Sequence, residues 1–144
     1  MSEYSDSLKS LHTLLIDSRN GYEEALKDAK GRGLTPLFTE MIALRQKDSA
    51  EIATLLTSLG EVAQSDGSFM STVNRTIISI RSMFGELDER ILPGLIDGEK
   101  RIVSYYDDAL KAGGDTSSLA ALVSQRQNLA QIVGRMEAQS AAAA

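Results

Sequence analysis

One six-residue phrase occurs twice in this chain. Tyr22-Glu23-Glu24-Ala25-Leu26-Lys27 returns as Tyr106-Asp107-Asp108-Ala109-Leu110-Lys111, 84 residues later. Each copy closes a long run in which apolar residues recur every three or four positions, the spacing of one helical face. Each then meets glycines, Gly31-Arg32-Gly33 and Gly113-Gly114, which terminate helices well. A second helical pattern follows each turn. Helix, glycine turn and helix, written twice, restrict the chain to an all-α fold of two helical hairpins with a long connection between them.

The stripes show which side of each helix faces inward. The first segment, about residues 4–30, carries Leu8, Leu11, Leu15, Ser18, Tyr22, Ala25 and Ala29. The second opens at Thr35-Pro36, a hydroxyl suited to the cap followed by a proline suited to the first turn. It runs to Leu59, stops at Gly60, and reads Phe38, Met41, Arg45, Asp48, Ile52, Leu55, Leu59. A polar loop, residues 64–68, precedes a shorter third segment that ends about Phe84. The fourth begins at Asp88 or at Pro93, with Leu92, Leu95, Glu99, Ile102, Tyr106 and Ala109 on its stripe. The fifth, capped by Asp115 or Thr116, extends to about Ala138 and presents Leu119, Leu122, Arg126, Leu129, Val133 and Met136. Residues 1–139 therefore read as one domain, and the serine and four alanines of 140–144 as a disordered tail.

Two hairpins joined by a crossover that contains an additional short helix have the connectivity of a ferritin-like four-helix bundle. The competing topology is an up-and-down bundle of five helices.

Composition narrows the function classes. A chain of 144 residues with 42% hydrophobic and 24% charged residues is an ordinary soluble domain, large enough for one core. The net charge of −5 and the lack of a basic stripe argue against nucleic acid. Without cysteine there is no disulfide, thiolate metal site or thiol nucleophile. The polar, acidic start is unlike a signal peptide, and no apolar run approaches the roughly 20 residues that span a bilayer. A cytoplasmic protein with no membrane insertion is expected. The glycine turns follow no strand and lack the phosphate-loop lysine, so they are not phosphate cradles.

Certain residues in order carry a family likeness: Leu11 to Ile16 leading to Gly21-Tyr22 and Ala25, then Phe38 and Arg45. Gly67-Ser68, Asn74-Arg75, Gly98-Glu99, Tyr105-Tyr106 and Ala109-Leu110 continue it. Over about residues 8–137 the chain resembles a bacterial ferritin-like family of unknown function, small proteins often encoded among stress genes. That resemblance implies a ferritin-like bundle, and it raises the di-iron centre that metal-using ferritin-like proteins carry. Such a centre takes a carboxylate from each of two helices and a Glu-x-x-His pair from each of the others. Here no Glu-x-x-His exists. The one histidine, His12, neighbours the core position Leu11 and is expected at the boundary or surface. The mid-stripe positions offer Ser18, Arg45 with Asp48, Glu99, and Arg126 beside the neutral Gln125 and Asn128. An arginine brings positive charge where cations should sit. A metal site would survive only if Asp17, Glu24, Asp48 and Glu99 converged.

The mid-stripe charges are instead expected to pair, because unpaired buried charge is very costly. The expected cluster is Arg45, Asp48, Glu99, Arg126 and Ser18: Glu99 with one arginine, Asp48 with the other, helped by the Tyr22 or Tyr106 hydroxyl. The third segment is apolar on more than one side. Phe69, Met70, Val73, Ile77, Ile80 and Phe84 are therefore expected at an oligomer interface, giving a homodimer or a protein-partner site. The reading is a non-catalytic structural or interaction protein with no cofactor and no metal, and the family likeness implies a tie to stress. The alternative is a metal-binding ferritin-like oxidoreductase or iron-handling protein with an atypical carboxylate site.

Overall fold

A computed structural model of the chain describes residues 3–28, 34–61, 91–114 and 116–143. They form four α-helices: α1 Glu3–Asp28, α2 Thr35–Ser58, α3 Leu92–Ala112 and α4 Thr116–Ala143. Among the described residues there is no strand. The third segment of the sequence reading, with Phe69, Met70, Val73, Ile77, Ile80 and Phe84, lies outside the described residues.

Cross-helix contacts give the directions. Lys9, early in α1, meets Glu61 just beyond α2 at 2.6 Å, while Tyr22, late in α1, meets the ring of Phe38, early in α2. That pair is antiparallel. Lys100 with Glu137 and Tyr106 with Gln125 make α3 and α4 antiparallel in the same way. Tyr22 with Glu99, and the start of α1 against the turn at Gly114, set α1 antiparallel to α3. Glu40 with Arg135 and Glu51 with Gln125 do so for α2 and α4. The helices thus run up, down, down, up. Parallel α2 and α3 leave Glu61 and Ile91 at opposite ends of the bundle. The two sequence hairpins pack most closely, α1 lies well against α3, and α2 packs more thinly against α4.

The core is the set of residues where the four stripes meet. Leu8, Leu11, Leu15, Tyr22 and Ala25 face Phe38, Met41, Ile52 and Leu56, and on the other hairpin Leu92, Leu95, Ile102, Tyr106, Leu122, Leu129 and Met136. At roughly 25 cal/mol per Å² of apolar surface removed from water, this burial is the main force holding four helices of modest intrinsic stability together.

Several local expectations are corrected. Thr35 is not the cap of α2: Leu34 occupies that position without a side-chain hydrogen bond, and Thr35-Pro36 form the first turn. Leu34 is wholly buried, so packing rather than a capping hydroxyl fixes this helix start. At the other end Gly60 has φ +78°, its N–H donates to the Thr57 carbonyl, and the Glu61 N–H donates to Leu56. That is a Schellman turn, and it needs a residue tolerant of positive φ. The α2 stripe ends on Leu56, with Leu55 half-buried and Leu59 exposed, because Leu56 follows Ile52 at i+4 while Leu59 has entered the turn. The helix α3 is described from Leu92, with Pro93 in its first turn, and the earlier candidate start, Asp88, lies outside the described residues. Finally α4 runs through Ala143 rather than ending near Ala138, and alanine is the best helix former.

Candidate functional site

Midway along the bundle, ionic groups replace apolar ones. Arg45 is reached along α2 from Met41 at i+4, and its side chain is wholly buried. Glu99 stands on α3 between Leu95 and Ile102 and is nearly so. The repeat itself marks this position: the offset of 84 residues that superposes the two phrases places Glu99 on Leu15. A carboxylate thus takes the place of a core leucine, and it must find a partner inside.

It finds two. Arg45 donates from Nη2 to Glu99 Oε1, and the Tyr22 hydroxyl donates to Glu99 Oε2 at 2.7 Å. Arg45 Nε donates to Ser18 Oγ at 3.1 Å. Burial pushes the Tyr22 hydroxyl up to about 12, with Arg45 opposing the shift, so Tyr22 is a neutral donor at physiological pH. Burial also works against the charge of Arg45, while the nearby Asp48 carboxylate favours it. The result is a direct link between hairpins: Ser18 and Tyr22 from α1, Arg45 from α2, Glu99 from α3.

Asp48, one turn beyond Arg45, is fully buried, yet among the described residues neither carboxylate oxygen has a hydrogen-bond partner, and neither does Arg45 Nη1. Burial raises the Asp48 pKa to about 6. Lys47 and Arg45 partly offset this, and Glu51 adds to it. Next to it runs a second polar chain. The Tyr106 hydroxyl donates to Gln125 Oε1 at 2.8 Å, and Gln125 Nε2 donates to Glu51 Oε1 at 3.0 Å and, at 3.4 Å, to the Asp48 carbonyl. Burial, then the negative field of Asp48, holds the Tyr106 hydroxyl well above its ordinary range.

Arg126 is not in this group, contrary to expectation. It lies half-buried on the outer edge, with Nε donating to Asp107 Oδ1 at 2.5 Å and Nη2 to Oδ2 at 3.3 Å, which raises its pKa. The physical reason is register. Between Leu122 and Leu129 either 125 or 126 satisfies the three-and-four spacing. The neutral Gln125 turns inward, where Tyr106 can satisfy it, while the arginine keeps its charge near water. The stripe therefore reads Ser118, Leu122, Gln125, Leu129, Ile132 and Met136, with Leu119 only half-buried. The Asp48 carboxylate is consequently left without the arginine expected for it. His12 is also corrected: it is buried, and burial followed by Arg19 lowers its pKa. Asp17 is buried on the same helix, and its pKa is raised by burial to about 6.

The di-iron ligand set implied by the family likeness does not fit these residues. Both Glu99 oxygens are engaged by Arg45 and Tyr22, and the guanidinium places positive charge at mid-bundle. Glu24 is at the surface with Lys27 at 2.9 Å. Among the described residues no three His, Cys, Asp or Glu side chains are grouped to hold a metal ion. Nor is any helix among them long and apolar enough to cross a membrane.

Sequence reasoning gave the inward role to Arg126 rather than its neighbour Gln125, and missed Glu51 and Asp107. The available signal was chemical: of two adjacent residues competing for one core position, the neutral one is cheaper to bury.

Residues 3–112 match the family model described as Domain of unknown function (DUF2383). No curated protein matches the chain. No solved structure matches it.

Proposed function

Starting from a chain that belongs to the domain-of-unknown-function family DUF2383, we propose that it is a non-catalytic structural or interaction protein, a ferritin-like bundle whose mid-bundle metal chemistry is replaced by ion pairing. The observation that carries this reading is the buried Arg45–Glu99 pair, held by Tyr22 and Ser18. It uses the carboxylate that best matches a bridging metal ligand, and it puts a fixed positive charge where two cations would have to bind. What such a pair supplies is registry: it ties the α1–α2 hairpin to α3 at one depth, a role buried ionic groups fill in other helical assemblies.

The binding role rests on the sequence of residues 62–90. Phe69, Met70, Val73, Ile77, Ile80 and Phe84 exceed one narrow stripe, and a helix apolar on more than one side requires more than one surface to cover it. A second copy of the chain is the expected partner, and a role in stress follows only from the family likeness.

The test is to load the purified protein with ferrous iron or manganese, desalt it, and measure metal content beside native mass. Substoichiometric metal and a dimeric mass are expected. About two metal ions per chain surviving desalting would overturn the reading in favour of an iron-handling or oxidoreductase function. A monomeric mass would remove the self-association part of it.

A further inference from the structure

Among the described residues, the mid-bundle core holds more carboxyl groups than cations. Glu99 and Asp48 are two buried carboxylates, and Arg45 is the one buried guanidinium among the described residues. Arg45 commits Nη2 to Glu99 and Nε to Ser18, so its short-range bonds go to one carboxylate only. Asp48 keeps two oxygens without a donor among the described residues. The groups that face it come from the four described helices. On α2 itself these are Arg45, the exposed Lys47 and Glu51. Tyr106 approaches from α3, where Glu99 holds the guanidinium, and Gln125 approaches from α4. On α1, Ser18 and Tyr22 are turned to Arg45 and Glu99, and Arg126 of α4 is turned to Asp107. Lys47 extends to Glu51 at 4.0 Å across solvent, where its charge is screened. Among the described residues, therefore, no neighbour neutralises Asp48 at close range.

We infer that Asp48 is a buried proton-binding site, neutral when the bundle is tight and, once ionised, a source of strain on the seam between α2 and α4. This seam is more thinly packed than either hairpin or the α1–α3 face, and the chain Tyr106–Gln125–Glu51 links the surroundings of Asp48 to solvent through it. An ionised Asp48 must be hydrated or repelled outward. Either outcome separates α2 from α4 while leaving the Arg45–Glu99 link between α2 and α3 in place.

The pH window follows from the sign. A carboxyl whose folded pKa, about 6, lies above its unfolded value binds an extra proton when folded. Its stabilising contribution is complete below the unfolded pKa, falls as pH rises through about 6, and is absent above. Asp17 has the same shift and must be separated from it.

The experiment is thermal unfolding of the full chain from pH 5 to pH 8 for the wild type, Asp48→Asn and Asp17→Asn. It is paired with carboxyl-carbon NMR titration of the wild type. The wild type should lose several degrees of Tm across this range. Asp48→Asn should flatten most of that loss and exceed the wild type at pH 8, while Asp17→Asn should keep the Asp48 part of it. The Asp48 carboxyl signal should titrate near pH 6, with amide exchange at 49–52 and 122–129 rising beyond its intrinsic pH dependence. A titration midpoint near the ordinary value of about 3.9 would overturn the inference even if the variant failed to fold. So would a pH profile unchanged by Asp48→Asn. A Tm at pH 8 raised by magnesium, calcium or manganese in the wild type but not in Asp48→Asn would also overturn it, making Asp48 a cation ligand.

Discussion

Arg45 on α2 and Glu99 on α3 form a buried ion pair between two parallel helices that belong to different hairpins. Because both groups are out of water, the energetics are asymmetric. The pair as a whole contributes little, since desolvation offsets attraction, yet removing one member strands the other. Glu99→Ala should therefore cost about 3–5 kcal/mol in chemical denaturation. A loss below about 0.5 kcal/mol, the range of an ordinary surface change, would show that the pair is hydrated.

The same asymmetry has a converse. Replacing both partners together, as Arg45→Met with Glu99→Leu, should cost clearly less than either single change and restores the leucine that Leu15 represents in the first copy of the repeat. A double variant as damaged as the sum of the singles would mean that the two residues do not act as a pair.

Tyr22 and Tyr106 occupy the same place in the repeated phrase but have different partners, and this ranks their hydroxyls. Tyr22 donates to a carboxylate, Tyr106 to a neutral amide oxygen. Hydrogen bonds to charged groups contribute about 1.5–3 kcal/mol and neutral ones about 1 kcal/mol. Tyr22→Phe should thus be the more destabilising of the two in paired urea melts. Equal losses, or the reverse order, would contradict the assigned bonds.

How far the sequence carried the fold depends on what each residue type disclosed. Glycine turns and three-and-four spacing disclosed helices, hairpins and most core positions, because apolar residues at those positions have one sensible place to go. That Arg45, Asp48 and Glu99 turn inward was legible because charge on an apolar stripe has few outlets, but the arginine expected beside Asp48 is not there. Arg126 was misplaced because a one-residue shift in register preserves every apolar match, and only the neighbouring Tyr106 and Asp107 decide between 125 and 126. Burial of His12 and Asp17 was illegible for a related reason: both fall beside the main stripe of α1, on a side that spacing within one helix does not mark as inward.

The register of α4 makes its own prediction. With Arg126 on Asp107 at the edge, Arg126→Ala should lose no more than about 1 kcal/mol, and the loss should shrink in high salt. Gln125→Ala, one residue earlier, should cost more, because it strips Tyr106 of its buried acceptor. Guanidinium melts would mask the salt effect, so urea melts at two ionic strengths are the measurement. A larger loss for Arg126→Ala than for Gln125→Ala would return the arginine to the core.

The α3–α4 turn carries two glycines for two different reasons, and substitution should tell them apart. Gly113 has φ +79° and open space around a would-be Cβ, so Gly113→Ala should cost about 1 kcal/mol through backbone conformation alone. At Gly114 a Cβ would overlap the ring of Tyr4, at the start of α1. That ring is buried and belongs to the core cluster, so it cannot simply swing into solvent without losing its packing. Gly114→Ala should therefore be the more damaging change, and its effect should couple to Tyr4. In a Tyr4→Ala background, which removes the obstructing ring, adding Gly114→Ala should cost almost nothing further. The measurement is a double-mutant cycle in urea. Strict additivity of the two losses would mean that the start of α1 does not pack on this turn, and the antiparallel placement of α1 against α3 would lose one of its two anchors.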